Sequence, residues 1–312
     1  MRFLTRLHIA RFGPAVLAAG LAFSGCSVRK VAVNSVGNIL AKGGSGGSFA
    51  TDEDPELVKA AVPFSLKLME SLLLESPEHE ALLVATAGGF TQYAYAFVQQ
   101  EADEAEETDF ARASELRVRA RKLYLRARDY GLRALEVDHP GFGHALDQDP
   151  IAAVADMDEA DVPALYWTAA AWASAISLAK DDPALIGEVP RMEALIDRAY
   201  ALDADYDYGA IHTFLMSYEF ARVGGEGDPI ERARFHFGRA IELTGGQKVS
   251  PYVTWAENTC VQTQDVAEFR RLLATALAID VDARPEWRLE NTIMQRRARR
   301  LLDQIDLLFL NP

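Results

Sequence analysis

The sequence predicts an all-α fold made of degenerate tetratricopeptide-like helical hairpins, an arrangement known as an α-solenoid. Apolar residues recur with helical periodicity from about residue 52 almost to the C-terminus. No stretch shows the apolar–polar alternation of a half-buried strand. A short pattern of a small residue followed by two spaced apolar residues occurs four times, which indicates an internal repeat.

The first 25 residues have the pattern of a signal peptide. Three arginines, with no acidic residue among them, precede an apolar stretch, 12–23, that is too short for a comfortable membrane span. Small residues then lead directly into Cys26, which resembles the lipobox of bacterial lipoproteins. We therefore expect cleavage before Cys26 and lipidation of its thiol. An uncleaved signal anchor with an incidental cysteine is the alternative, since Phe23 stands where a lipobox usually has an aliphatic residue.

Residues 26–51 are predicted to form a flexible, lipid-anchored tether. They are small, polar and rich in glycine, so they cannot bury enough surface to order themselves. Lipoprotein maturation supplies at least two acyl chains, and two chains anchor a protein stably. Ser27 follows the cysteine, where an aspartate would suggest retention at the inner membrane. The expected localisation is therefore an outer-membrane anchor with the protein facing the periplasm.

The charge and the cysteine content of the chain argue against several classes of function. The formal charge is −14 for the whole chain and −17 once the three arginines of the signal peptide are removed. That much negative charge argues against nucleic-acid partners and against a surface that lies on anionic lipid. With Cys26 lipidated, Cys260 is the remaining cysteine, so no intramolecular disulfide is expected. We expect Cys260 to be a small buried apolar side chain rather than a nucleophile.

Residues 52–312 are predicted to form the repeat domain. The four copies of the pattern begin at Ala134, Ala199, Ala240 and Ala276, spaced 65, 41 and 36 residues apart. A tetratricopeptide unit has about 34 residues in two helices, so these units are degenerate; unrelated helices with chance similarity are the alternative. First helices are predicted before the copies at 78–100, 164–180, 208–223 and 251–263, with capping helices near 56–75 and 286–310.

The second half of the chain resembles the T component of tripartite ATP-independent periplasmic (TRAP) transporters. The resemblance covers most of the chain from about Val162 onward. It is carried by 165–172 (LYWTAAAW), 180–183, 224–228, 233–243 (ARFHFGRAIEL), 250–253 and 284–302. It implies a periplasmic lipoprotein that works beside the substrate-binding P component and assembles into rings with a pore, a homotrimer being the expected homo-oligomer. In that arrangement the T component offers a cleft for a small-molecule solute, a docking surface for the P component, or both.

Two functions from different classes fit these observations. The first is the accessory T component of a TRAP-type solute uptake system. The second is a tetratricopeptide scaffold lipoprotein for outer-membrane or envelope protein assembly. We expect no enzymatic activity and no cofactor, because the sequence contains no nucleophile elbow, phosphate-binding loop or dinucleotide fingerprint. The one cluster of potential metal ligands, formed by His139, His144, Asp147 and Asp149, is more simply a hydrogen-bonded or solvent-facing loop.

The predicted ligand or partner cleft is the face formed by successive first helices. Repeat helices present such a face to ligands and partners, and Trp and Tyr combine a large apolar area with a polar group. The same side chains at helical spacing also fit a core. The candidate cleft residues are Tyr166, Trp167, Trp172, Tyr208, His212, Tyr252, Trp255 and Asn258. A weaker candidate for partner docking is the basic strip of Arg296, Arg297 and Arg300, with internal pairing to acids such as Glu290 and Asp303 as the alternative.

Overall fold

The computed structural model describes residues 34–38 and 47–310, which contain helices, turns and no β-strand. The all-α prediction is confirmed for this part of the chain. Ten main helices carry the fold. In chain order they are α1 (Pro55–Glu75), α2 (Glu80–Ala105), α3 (Phe110–Asp138), α4 (Val162–Ser177), α5 (Val189–Leu202), α6 (Tyr206–Tyr218), α7 (Pro229–Thr244), α8 (250–263), α9 (Val266–Ala278) and α10 (Arg288–Asp303).

Shorter helical turns lie in the connections between the main helices, and two main helices are irregular inside. The connecting turns are Phe142–Gln148, Pro150–Ala153, Glu159–Asp161, Pro183–Ile186, Pro285–Trp287 and Ile305–Leu308. The irregular parts are π-helical, at Ala94–Gln99 in α2 and Ala256–Cys260 in α8. A π-helical turn opens the helix by one residue and often marks a functional position. Nothing in the periodicity of the sequence indicated either one.

Aspartate followed by proline begins several of the helices. The Asp54 carboxylate accepts hydrogen bonds from the backbone N–H groups of Glu56 and Leu57, and Pro55 is the first residue of α1. The same pair of residue types begins α7 at Asp228. An aspartate at this position satisfies N–H groups that the helix leaves free, and proline costs nothing at a position whose N–H has no helical partner. These starts were predictable from the sequence.

The helices pack as successive neighbours along the chain. Helix α2 packs against α3, α4 against α5, α6 against α7 and α8 against α9, while α3 also packs against α4. Each predicted first helix is therefore present and contacts the helix that follows it. The apolar side chains form three buried clusters, centred on Leu82 and Leu165, on Phe90 and Tyr124, and on Trp255. Because the clusters bury one face of each helix, they determine which helix faces remain available for a site.

Helix α2 is the one described helix with the length and apolar composition of a membrane span. In its most apolar stretch 61% of the residues are buried against the rest of the protein. It packs against α1, α3 and α4. Helix α2 is therefore buried in the way a core helix is. Its composition is apolar because neighbouring helices cover it on several sides.

Two short parts of the predicted tether are described, and both contact the helices. The Ser76 hydroxyl donates to Oδ1 of Asn34 at 2.8 Å. The Ala50 carbonyl accepts from the backbone N–H of Leu289 at 3.0 Å, and Phe49 packs against the cluster around Phe90. Residues 47–51 are thus attached to the helical body, which their composition did not indicate. The signal peptide, Cys26 and the remainder of the tether lie outside the described residues.

Helices α3 and α4 approach each other closely at Gly131, and this contact gives a first prediction. A Cβ atom on Gly131 would lie 2.1 Å from Oγ1 of the buried Thr168. We expect Gly131→Ala to lower the free energy of unfolding by about 1–3 kcal/mol, because the helices must move apart. Gly238→Ala in α7 is the matched control, since its added methyl meets no atom within 4 Å. The control should be neutral or stabilising by up to about 1 kcal/mol, and equal effects of both variants in urea titrations would contradict this packing.

Candidate functional site

The predicted cleft residues divide into a buried group and an accessible group. Trp172, His212 and Trp255 are only 1–2% exposed. A side chain without accessible surface cannot contact a solute or a partner unless the fold opens. The structure therefore corrects the prediction of an open cleft for these three residues. They pack in the core, which was the alternative that the sequence left open.

Both buried tryptophans have partners that account for their positions. The Trp172 indole donates its Nε1 hydrogen to Glu188 at 2.7 Å. The Trp255 ring lies 5.0 Å from the ring of Phe237, and the guanidinium of Arg234 lies 5.1 Å from its centroid. Buried tryptophans usually satisfy their N–H group and pack against rings and cations in this way. These contacts hold helix pairs together.

His212 and His236 form a buried pair between α6 and α7. Their Nδ1 atoms are 2.8 Å apart, so one ring donates and the other accepts. Tyr200 packs edge-on against both rings at 5.6 Å. Burial lowers the pKa of both imidazoles, and the pKa of His236 falls to about 4 with further contributions from His212, Arg222 and Arg232. The pair is therefore uncharged at neutral pH.

The accessible group lies on the first helices of successive pairs. Tyr166 and Trp167 on α4 are half-buried, with ring centroids 4.9 Å apart. Tyr208 on α6 is 49% exposed and packs edge-on against Trp287. On α8, Tyr252 and Asn258 are half-buried, and Asn258 is hydrogen-bonded to Ser217. These five residues keep the accessible surface that a ligand or partner requires.

Three residues near the accessible group were missed by the sequence analysis. Asp207 is half-buried at the start of α6, where burial raises the pKa of its carboxyl group. Lys248 lies at the end of the connection that precedes α8 and forms an ion pair of 3.0 Å with Glu290 on α10. The carboxylate of Glu290 also accepts a hydrogen bond from Ser250 at 2.6 Å. In the sequence these residues look like ordinary surface charges, and only the fold brings them together.

The start of α6 has an unusual backbone. Asp207, Tyr208 and Gly209 follow one another with φ values of 46°, 54° and 83°. Left-handed φ is favourable for glycine and costs other residues roughly 1–3 kcal/mol each, so it persists only where the surroundings impose it. Gly209 lies against α7, where a Cβ atom would come within 3.1 Å of Leu243. This close approach fixes the backbone that positions Asp207 and Tyr208.

The basic strip on α10 is paired inside the protein. Arg297 is 8% exposed and donates to Glu257 at 2.5 and 2.7 Å. Arg296 pairs with Glu56 at 3.0 Å, and Arg300 lies 3.8 Å from Asp103. The strip is therefore not a free basic surface, and internal pairing is what the structure shows. The partners differ from Glu290 and Asp303, which sequence proximity had suggested.

Arg296 also lines a polar cleft between α1, α2 and α10. The other charged residues of this cleft include Lys59 and Glu101, which form an ion pair with each other. None of the predicted cleft residues lies in it. Its two cationic side chains, Lys59 and Arg296, are paired with Glu101 and Glu56, and Glu104 is a third carboxylate in the lining.

Cys260 and the predicted cluster around His139 have structural contacts in the described part of the chain. Cys260 is buried, and burial raises the pKa of its thiol to about 12, which confirms that it behaves as an apolar side chain. His139 contacts Asp161, with Nε2 and Oδ1 2.8 Å apart. Within residues 34–38 and 47–310, no three His, Cys, Asp or Glu side chains come together as metal ligands.

Comparison with known proteins identifies the family of this chain. The family model described as TRAP transporter T-component matches residues 51–309 of this chain. The chain belongs to this family. A protein of Treponema pallidum (strain Nichols), described as uncharacterized, is 30% identical over 310 residues, which cover 94% of this chain and 96% of the relative.

Membership in the TRAP T-component family confirms the resemblance seen in the second half of the chain. It also extends to the helices before Val162, where the resemblance was less specific. The protein therefore has an accessory role in a TRAP transporter, and T components are associated with the periplasm and cell envelope. The family is one of transporter subunits and not a known enzyme family.

The buried histidine pair of this T component generates a prediction about stability and pH. The folded protein holds the pKa of His236 near 4, below its ordinary value of about 6.5, so the unfolded chain binds more protons between these values. Stability should therefore be fully present above pH 6.5 and fall as the pH decreases towards 4. The contribution that is lost is on the order of 2–3 kcal/mol.

Urea titrations between pH 4 and 7.5 test this on the wild type, on His236→Phe and on His144→Asn. The wild type and the control at the exposed His144 should lose stability more steeply below pH 6.5 than His236→Phe. Carboxylates titrate in the same range in all three proteins, so the difference between the curves isolates the pair. Parallel curves would show that the pair does not take up protons on unfolding.

Proposed function

We propose that the protein is a lipid-anchored T component that presents a binding surface to the P component of a TRAP transporter, to its solute, or to both. The anchor is Cys26, and the expected membrane is the outer one, with the helices facing the periplasm. The proposal rests on membership in the T-component family over residues 51–309. The lipid anchor rests on the sequence pattern that ends at Cys26.

The surface is proposed on the accessible residues of the first helices. Tyr166, Trp167, Tyr208, Tyr252 and Asn258 lie on α4, α6 and α8, which are first helices of successive pairs. If these pairs are degenerate tetratricopeptide units, their first helices line one concave face, which is where such repeats bind ligands and partners. Exposed aromatic residues often dominate the affinity of protein interfaces. The observation that carries the proposal is the 49% exposure of Tyr208, a large aromatic residue on a strained backbone.

The resemblance also leads us to propose a homotrimer as the assembled form. A scaffold for outer-membrane or envelope protein assembly remains the second candidate, because the same helical pairs would suit it. The two functions differ in the partner that the surface retains. A P component is the expected partner of the first, and folding intermediates of envelope proteins are the expected partners of the second.

Affinity purification from detergent-solubilised envelopes distinguishes these functions. We expect the tagged wild-type protein to recover the co-encoded P component. Tyr208→Asn should reduce recovery strongly, since loss of an aromatic anchor costs about 2 kcal/mol or more in binding. Asparagine adopts left-handed φ more readily than most residues, so this variant should fold. Phe110→Asn is the matched control, because Phe110 is an exposed aromatic residue too, 69% against 49% for Tyr208, but lies at the start of α3.

A Cys26→Ser variant in the same experiment tests the anchor. It should lose the fatty-acid label and leave the precursor unprocessed at this site, while the purified protein still binds the P component. Equal label on both proteins would contradict lipidation at Cys26. Recovery of envelope proteins without a P component would favour the scaffold function. Equal recovery by the Tyr208 and Phe110 variants would place the surface elsewhere.

A further inference from the structure

Helix α1 is apolar on two opposite faces. One face packs inside the protein, where Val58, Leu66 and Leu73 are buried. The opposite face is open to solvent. Between positions 57 and 74 its exposed residues are Leu57, Ala60, Phe64, Lys67, Leu68, Ser71 and Leu74. Lys67 is the charged residue among these seven, and it pairs with Glu70. A helix that is apolar on all sides is normally covered on all sides.

The large apolar residues of the open face form one stripe, which we call the outer stripe of α1. Leu57, Phe64 and Leu68 are seven and four residues apart, so their side chains lie on the same side of the helix. Phe64 is 74% exposed, and Leu74, closer to the end of the helix, is 85% exposed. The stripe extends over about 25 Å. Exposed apolar surface of this kind marks a contact with another protein or with a membrane.

The N-terminal part of the chain connects this helix to the predicted lipid anchor. The Ser76 hydroxyl donates to Oδ1 of Asn34 at 2.8 Å, and the Asn34 carbonyl lies 3.3 Å from Nε2 of His79. Ser76 caps the C-terminal end of α1, two positions after Leu74. Asn34 is eight residues after Cys26, and eight residues span at most about 30 Å. A lipid on Cys26 therefore holds this end of α1 within about 30 Å of the bilayer.

We propose that the outer stripe of α1 lies on the membrane that holds the anchor, with Leu57, Phe64, Leu68 and Leu74 inserted among the lipids. Interfacial helices bury their apolar side chains about 5–10 Å into the boundary between headgroups and acyl chains. The other face of α1 packs on α2, so the helix would lie between the protein and the lipid. The inference rests on the lipid anchor of the proposed function, because that anchor brings α1 to the bilayer.

The charges around the outer stripe indicate which lipid surface fits it. Acidic residues lie at both ends of α1, with Asp52 and Glu53 before it and Glu75 and Glu78 at and beyond its end. Anionic headgroups would repel these carboxylates, whereas zwitterionic headgroups would not. The same charges argue against a second copy of the chain, because two α1 helices would bring acidic ends together in either orientation. The occupant is therefore a zwitterionic lipid surface.

Fluorescence of the lipidated protein in phosphatidylcholine vesicles tests this contact. An environment-sensitive fluorophore on Leu68→Cys is selective, because Cys26 carries the lipid and Cys260 is buried. We expect blue-shifted emission and quenching by lipids with a doxyl group close to the headgroup. Adding Phe64→Ser should lower the equilibrium constant for docking by about tenfold, since a phenylalanine removed from water contributes at least that factor. Replacing part of the phosphatidylcholine with phosphatidylglycerol should reduce the quenching.

Val223→Cys with the same fluorophore is the matched control. Val223 is an exposed apolar residue between α6 and α7, whereas α1 packs against α2 and α10. Its label should have aqueous emission and no quenching by doxyl lipids, and circular dichroism checks the fold of each variant. Equal quenching of both labels, or aqueous emission at Leu68→Cys, would overturn the inference.

Two further outcomes separate the alternatives. Blue-shifted emission at Leu68→Cys without doxyl quenching would show that a second copy of the protein covers the outer stripe, which would also overturn the inference. Failure of the protein to incorporate into vesicles would contradict the anchor at Cys26, and the docking of α1 would fall with it. Incorporated protein whose outer stripe stays in water would leave the anchor and the recovery of the P component intact.

Discussion

The buried guanidinium group of Arg297 connects the last main helix, α10, to α2 and α8, which are far apart in the sequence. It donates to Gln100 and Asp103 at the end of α2, at 2.8 and 2.9 Å, and to Glu257 in α8. Taking a charge out of water is expensive unless partners surround it. The three partners meet this requirement only when α10 lies between α2 and α8. One residue therefore fixes the relation between helices that are almost 200 positions apart in the sequence.

The irregular turns of α2 and α8 lie at these two points of attachment. Gln100 follows the π-helical segment Ala94–Gln99 directly, and Glu257 lies inside Ala256–Cys260. The extra residue of a π-helical turn rotates the side chains that follow it relative to those before. The apolar face of each helix can then pack on its neighbours while the polar residue reaches Arg297. Because α10 also carries Glu290, the same connection positions the ion-pair partner of Lys248.

The sequence predicted local structure well and long-range pairing poorly. Aspartate–proline pairs such as Asp54-Pro55 mark helix starts because capping depends only on neighbouring residues. Asp103 lies in an acidic run, 101–107, that nothing in the sequence connects to a particular arginine, yet it is bound to Arg297. Periodicity shows which face of a helix is apolar but not which distant charge will lie opposite an arginine. For the same reason, Trp172 and Trp255 could not be distinguished from cleft residues before the fold was known.

Unfolding of Arg297→Met, compared with Arg296→Met, tests most directly whether this connection holds the array together. Arg296 is the adjacent residue, with a side chain that is 52% exposed and an exposed partner in Glu56. Removing Arg297 leaves the carboxylate of Glu257 without its cation and Asp103 with only the more distant Arg300 and Arg117, so the free energy of unfolding in urea should fall by about 3–5 kcal/mol. The control should change it by less than about 1 kcal/mol. If both variants unfold at the same urea concentration as the wild type, the array does not depend on Arg297.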